Sequence, residues 1–187
     1  MSIKKLFLVA ITVLSVSAAH ASIVTNGGFE SGLTGWTTSV NNGSVGAGSQ
    51  GPAAFEGASY FWGFDNQGPG TLQQILSTNI GAIYQIALAF NTNGAVPPNS
   101  LAISAGDLSE SLNLATGLWT TYTSTFTASS TSTALNFFFN TVSGSGTVWI
   151  DAVSVEQVGQ VVPEPAAMAL FGFGLAVLGA VRRRQTK

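Results

Sequence analysis

The sequence predicts an all-β domain built as two packed antiparallel sheets, and three observations carry that prediction. Thr, Ser, Gly, Val and aromatic residues dominate residues 22–160, and these types favour strands and turns. No long stretch of this region repeats its apolar residues at the 3.6-residue period of a helix. Short β-like runs recur instead with turn residues between them, about ten in ~139 residues, a density that suits a sandwich.

In chain order the runs are Ile23–Thr25, Trp36–Val40, Ala58–Phe64, Thr71–Ser77, Tyr84–Asn91, Ser100–Ala105, Ser109–Leu114, Thr120–Thr127, Thr133–Asn140 and Thr147–Glu156. Alternation within them names the core. Ile86, Leu88 and Phe90 share one face, and so do Leu135, Phe137 and Phe139, with Phe138 opposite. Leu101 pairs with Ile103 and Leu112 with Leu114, while Tyr122 and Phe126 face inward and leave Thr121, Thr123 and Thr125 to water. The last run poses a problem of parity. Val148 and Ile150 are even-numbered, whereas Val153 and Val155 are odd-numbered. A β-bulge near Asp151-Ala152 would bring all four to the core and re-aim the Asp151 side chain.

Only 7% of the chain is charged, against about 25% in an ordinary soluble domain. All six basic residues, Lys4, Lys5, Arg182, Arg183, Arg184 and Lys187, lie at the two ends, and His20 is close to the start. The region 22–162 therefore has no Lys, Arg, His or Cys, and it carries seven acids: Glu30, Glu56, Asp65, Asp107, Glu110, Asp151 and Glu156. Nucleic-acid binding is excluded, because its affinity comes mostly from cations neutralising phosphates. A Ser-His-Asp or Cys-His centre cannot be built without its base, nor a zinc site without Cys or His.

The first segment has a basic start at Lys4-Lys5, an apolar run from Leu6, and the small-residue pattern Ala19-His20-Ala21. This is the layout of a secretory signal peptide over residues 1–21, cut by signal peptidase. The domain is expected over 22–158 and a linker over 159–165. The last segment holds Val162-Pro163-Glu164-Pro165, then an apolar run at 166–181, then Arg182-Arg183-Arg184. As a helix that run would be roughly 24 Å long, slightly short of a ~30 Å hydrocarbon core. Its glycines are tolerated in a membrane, and the basic tail 182–187 would stay cytoplasmic. Pro-Glu-Pro, a short Gly- and Ala-rich apolar run and an Arg cluster, in that order, resemble the PEP-CTERM sorting signal. That resemblance implies recognition by an exosortase, tethering to the inner membrane with the domain in the periplasm, processing near Pro163-Glu164-Pro165, and delivery to the cell surface or extracellular matrix. The two prolines keep the segment extended for a protease groove.

Two further motifs stand at the ends of the domain: Asn26-Gly27-Gly28-Phe29-Glu30 with Gly35-Trp36, and Val148-Trp149-Ile150-Asp151-Ala152-Val153-Ser154-Val155. Together they resemble the galactose-binding-like jelly roll of carbohydrate-binding modules, in which the opening and closing strands lie close in space. The resemblance implies that Glu30 and Asp151 supply oxygen ligands to a structural Ca²⁺. A hard cation suits carboxylates and carbonyls. The family's closing strand often carries two adjacent acids, and here the second position is Ala152. On the residues alone, Glu30 capping a turn and Asp151 accepting backbone N–H bonds is the alternative.

Sugar binding uses aromatic platforms, and Trp36, Tyr60, Trp62, Trp119 and Trp149 are the candidates. Trp36 and Trp119 are assigned to the core. Tyr60 and Trp62 share a strand face that is open to either role, and Trp149 is expected to be exposed before the bulge. Nothing singles out a glycosidase pair among the seven acids. The expected function is therefore a non-catalytic exported protein that binds extracellular polysaccharide. The alternative is a matrix protein that self-associates without recognising sugar.

Overall fold

The computed structural model describes residues 21–93, 100–112, 117–141 and 146–160. The expected signal peptide, apart from Ala21, and the expected sorting segment lie outside them, as does Leu114. Among the described residues there is no helix, and ten strands form two antiparallel sheets. The strands are β1 (Thr37–Ser39), β2 (Gly43–Gly48), β3 (Tyr60–Asp65), β4 (Gly70–Ser77), β5 (Ala82–Thr92), β6 (Ser100–Ala105), β7 (Leu108–Leu112), β8 (Thr120–Thr127), β9 (Ser132–Asn140) and β10 (Val148–Gln160). One sheet runs β1-β4-β9-β6-β7 and the other β2-β3-β10-β5-β8. They are called here the first and second sheets.

The core lies between the sheets, where the predicted apolar alternation delivers it. Leu72, Leu101, Ile103, Leu135, Phe137 and Phe139 face it from the first sheet. Phe61, Ile86, Leu88, Phe90, Val148 and Ile150 face it from the second. The opening motif seals one end: Phe29 packs 5.3 Å from Trp36 and 6.0 Å from Phe61 between ring centroids. Trp36 also donates Nε1–H to Asn26 O at 3.1 Å.

The bulge is where parity demanded it. β10 pairs regularly with β5 up to Asp151↔Ala89 and resumes at Ser154↔Ala87. Ala152 takes φ 50°, and Val148, Ile150, Val153 and Val155 are all buried.

Two expectations change. Ile23–Thr25 is not a strand. Ile23 N bonds Val155 O at 2.8 Å, and Gln74 holds Thr25 instead, accepting its N–H at 2.8 Å and donating to its carbonyl at 2.9 Å. Conversely, Gly43–Gly48 is a strand that propensity conceals, because glycine disfavours β-structure. Glycine is required there, since a Cβ on Gly46 would meet the Trp62 ring at 2.5 Å.

The adjacent glycines of the opening motif differ in the same way. Val153 N donates to Gly27 O at 3.0 Å, and a Cβ on Gly27 would overlap the Val153 carbonyl oxygen. The nearest atom to a Cβ on Gly28 is 3.9 Å away. Gly27→Ala is expected to lower stability by about 1–3 kcal/mol, as overpacking does. Gly28→Ala should stay level or gain about 0.5 kcal/mol through the unfolded chain. Urea unfolding midpoints of the two variants check the contrast.

Candidate functional site

The two sheets present very different outer faces. On the second sheet, the β2–β3 connection, residues 49–59, is laid across the face as a strap. Three aromatic donors hold its carbonyls. Trp149 Nε1 donates to Gln50 O at 3.1 Å, Tyr60 OH to Pro52 O at 3.0 Å and Trp119 Nε1 to Ala53 O at 2.8 Å. Two carboxylates hold its N–H groups. Asp151 Oδ2 accepts from Phe55 at 2.9 Å and Glu56 at 3.0 Å, and Glu30 Oε1 accepts from Ala58 at 2.7 Å and Ser59 at 2.9 Å. Those last two bonds explain why β3 begins at Tyr60 and not at Ala58.

This arrangement brings Tyr60, Trp62 and Trp149 to one face, with Trp149 opposite Trp62 across the ladder. It also corrects the exposure expected of Trp149 and gives that of Tyr60 and Trp62, which the sequence left open. Tyr60 is fully buried and Trp149 is 6% exposed, because the strap covers them and their polar atoms are spent on it. Trp62 is half-buried over Gly46. Trp119, assigned to the core, stands outside it as a half-buried ring packed edge-on against Tyr60 and Phe55, 5.7 and 6.1 Å away. Trp36 is in the core as expected.

Glu30 and Asp151 come together on the same strap, as the motifs implied, and they titrate in opposite directions. The N–H groups of Ala58 and Ser59 hold the Glu30 carboxyl below its ordinary value. Burial pushes Asp151 up against the pull of three backbone N–H bonds, and the nearby Glu30 charge adds to the rise. Asp151 Oδ1 takes the third of these bonds, from Ala152 N at 2.7 Å.

A cleft of about 480 Å³ opens beside them, lined by Glu30, Glu56, Gly28 and Ala152 among others. Its donors suit a hard cation in kind. Among the described residues both hydrogen bonds to Glu30 fall on Oε1 and none on Oε2, and Glu56 lines the same wall. Among the described residues no three His, Cys, Asp or Glu side chains converge. Backbone carbonyls would have to complete the six to eight oxygens of a Ca²⁺ shell.

The first sheet's outer face is open. Gln73 of β4, Asn136 of β9 and Ser104 of β6 stand in one cross-strand row. Gln73 Nε2 donates to Asn136 Oδ1 at 2.6 Å, and Asn136 Nδ2 donates to Ser104 Oγ at 3.2 Å. Half-buried Phe138 and Ala102 form the next row, beside Thr71. A shallow cavity of about 270 Å³ adjoins Asn136 and Ser104, walled by Ser130 and Ser132. No charged side chain stands on this face among the described residues. Glu110 of β7 shares the inward parity of Ile103 and reaches instead to Tyr122 OH at 2.8 Å.

Sequence reasoning missed this row. Parity does place Asn136 and Gln73 opposite the core residues of their strands. The pairing of β4, β9 and β6 that aligns them crosses more than sixty residues of chain between Gln73 and Asn136. Pro163, Glu164, Pro165, Arg182, Arg183 and Arg184 lie outside the described residues.

A carboxyl-detected NMR titration checks the opposed shifts: Asp151 is expected to titrate above the ordinary aspartate range and Glu30 below the glutamate range. Glu30 then contributes stability that is complete above the ordinary glutamate range and is lost as pH falls through its depressed value. For Asp151 the sign reverses: its contribution is complete below the ordinary aspartate range and is lost as pH rises through its raised value. Titration in the reverse order would contradict the strap geometry.

The chain carries a PEP-CTERM protein-sorting motif at residues 161–184, which indicates a protein exported and processed at the membrane. No curated protein matches the chain. Among solved structures, the domain is similar to the CBM22-1 xylan-binding domain from Paenibacillus barcinonensis Xyn10C, with TM-score 0.58 and 14% identity, covering 77% of this chain and 100% of that one. It is similar to TmCBM61, solved in complex with beta-1,4-galactotriose, with TM-score 0.57 and 17% identity, covering 73% of this chain and 98% of that one. It also resembles the enzymatically active domain of bacteriophage CBA120 tailspike protein 4, with TM-score 0.56 and 15% identity over 74% of this chain, and it spans only 22% of that chain's length. These likenesses show the fold, a jelly-roll β-sandwich.

Proposed function

We propose that this is an exported, non-catalytic protein whose jelly roll binds neutral polysaccharide, extracellular polysaccharide being the target, on the outer face of the first sheet. The observation that carries this reading is the Gln73–Asn136–Ser104 row. Its amides are held by one another at fixed spacing, so little side-chain freedom is lost when a hydroxyl-rich chain docks. The adjoining Phe138 offers an apolar surface to a sugar ring, and the lack of charge suits an uncharged ligand. The likeness to carbohydrate-binding modules supports the reading. Tyr60 and Trp149 serve in it as anchors of the strap, not as sugar platforms.

The sorting motif supports a reading of where this happens. The apolar run 166–181 crosses the inner membrane, with the domain in the periplasm. An exosortase then cuts near Pro163-Glu164-Pro165, and the domain reaches the cell surface or matrix. Calcium belongs to the same proposal, held by Glu30 with backbone carbonyls near the strap, where it would tighten residues 55–59 against β10.

A glycan array followed by calorimetry tests the binding. Gln73→Ala and Asn136→Ala are each expected to weaken the best ligand by about 1 kcal/mol, roughly fivefold, with the melting temperature little changed. Absence of any glycan signal, together with concentration-dependent polymers in sedimentation, would favour the self-associating matrix protein instead. For calcium, melting is followed after EDTA treatment and after Ca²⁺ is restored. A rise of several degrees with calcium is expected from mass action on the folded state, and identical curves would remove the ion from the account.

A further inference from the structure

The base of the sandwich, where β10 ends, carries an apolar patch that glycan binding does not use. Ile80, in the β4–β5 turn, is 62% exposed, and Val158, in β10, is 55% exposed. They are neighbours. Asn79 Nδ2 donates to Gln157 Oε1 at 3.2 Å, and pairing of β10 with β5 shifts register between Gln157 and Gly159. Val158 is thus the extra residue of a second bulge, left unpaired with its side chain in solvent. Ile83 lies beside it, next to Gly159. The β8–β9 turn joins the same base, through Gly81 N to Ala128 O at 2.8 Å and Thr78 N to Thr131 O at 3.0 Å. No charged residue occurs in 77–83, 128–134 or 157–160, and the acid at this end, exposed Asp107 of the β6–β7 turn, accepts from Thr127 N at 2.6 Å.

Single exposed apolar residues are ordinary. These converge where the chain leaves the domain. Only residues 161–165 separate Gln160 from the apolar run at 166–181. Five residues reach at most about 18 Å when fully extended. With that run in the bilayer, the base must face the lipid at close range with Asp107 as its acid, and the strap and its acids lie farther up the sheet.

We propose that the base is a membrane-docking foot: Ile80 and Val158, with Ile83, enter the headgroup–acyl boundary of the bilayer that holds residues 166–181. This rests on the membrane-crossing part of the proposed function. Two or three side chains are a weak anchor, and they hold only because the tether keeps them at high effective concentration. Cutting the tether therefore also releases the foot, and the domain leaves the membrane without a second step.

The full chain has no cysteine, so single reporters are clean. Ser129→Cys, at the base, and Ser100→Cys, at the opposite end, are labelled with NBD in the full chain. The protein is then reconstituted in phosphatidylcholine vesicles containing doxyl-labelled lipid. Quenching at 129 is expected to exceed that at 100 about threefold, since interfacial side chains sit within the headgroup–acyl boundary. Adding Ile80→Asn and Val158→Asn should lower quenching at 129 about twofold, toward the level the tether alone gives, while melting stays unchanged; quenching at 129 that the pair leaves unaltered would overturn the foot. Equal quenching at the two ends in protein that floats with the vesicles would overturn the foot and leave the membrane crossing intact. Failure to float would sink the crossing itself, and the foot with it. Shielding of the 129 label from iodide without vesicles would overturn it too, by assigning the patch to the chain's own residues or a second copy.

Discussion

A carboxylate in this domain has no cationic side chain to turn to, so hydrogen donors must answer it. The sequence withholds Lys, Arg and His from residues 22–162, and the structure shows the consequence at five of the seven acids there. Asp65 accepts from the backbone of Asn41, Asn42 and Gln67. Burial raises its carboxyl, and those bonds outweigh burial and hold it below the ordinary range. Asp107 accepts from Thr127 N, Glu30 from Ala58 and Ser59, Asp151 from Phe55, Glu56 and Ala152, and Glu110 from Tyr122 and Ser124. Four of these acids take backbone N–H groups from a loop or strand end, so each one clamps a loop. Hydrogen bonds to charged acceptors are stronger than neutral ones, which makes a few acids enough to order connections that an ordinary domain would tie with ion pairs.

This use of charge separates the molecule into faces with different duties. The second sheet is closed: its aromatic donors and Asp151 hold the strap, and little of their polar capacity is left for a ligand. The first sheet is open, and its amides and hydroxyls are ordered by one another. The bulge at Asp151-Ala152 links the two outcomes. By shifting phase it sends Val153 and Val155 into the core together with Val148 and Ile150, and it turns the Asp151 carboxylate under the strap.

The fold was legible wherever one strand sufficed to read it. Alternation named Ile86, Leu88, Phe90, Leu135, Phe137 and Phe139 as core, and the parity conflict in β10 located a bulge within two residues. What failed depended on a neighbour elsewhere in the chain. Gly43–Gly48 is a strand because Trp62 needs a flat backbone beside it, which propensity cannot register. Tyr60 and Trp149 looked available as platforms because alternation places them outward, and only the path of residues 49–59 shows them covered. Trp119 looked like core for its size, yet its ring packs on that same strap. The Gln73–Asn136–Ser104 row required the sheet order before it could be seen.

A domain organised in this way has no ion pairs between side chains to lose to salt, and its acids repel one another. Its thermal melting, followed in calcium-free buffer from about 0.01 M to 1 M NaCl, spans Debye lengths from about 30 to 3 Å. The melting temperature should hold level or climb as acid–acid repulsion is damped. A steady fall with added salt would mean that attraction between opposite charges supports the fold, and the reading of its carboxylates as loop clamps would be wrong.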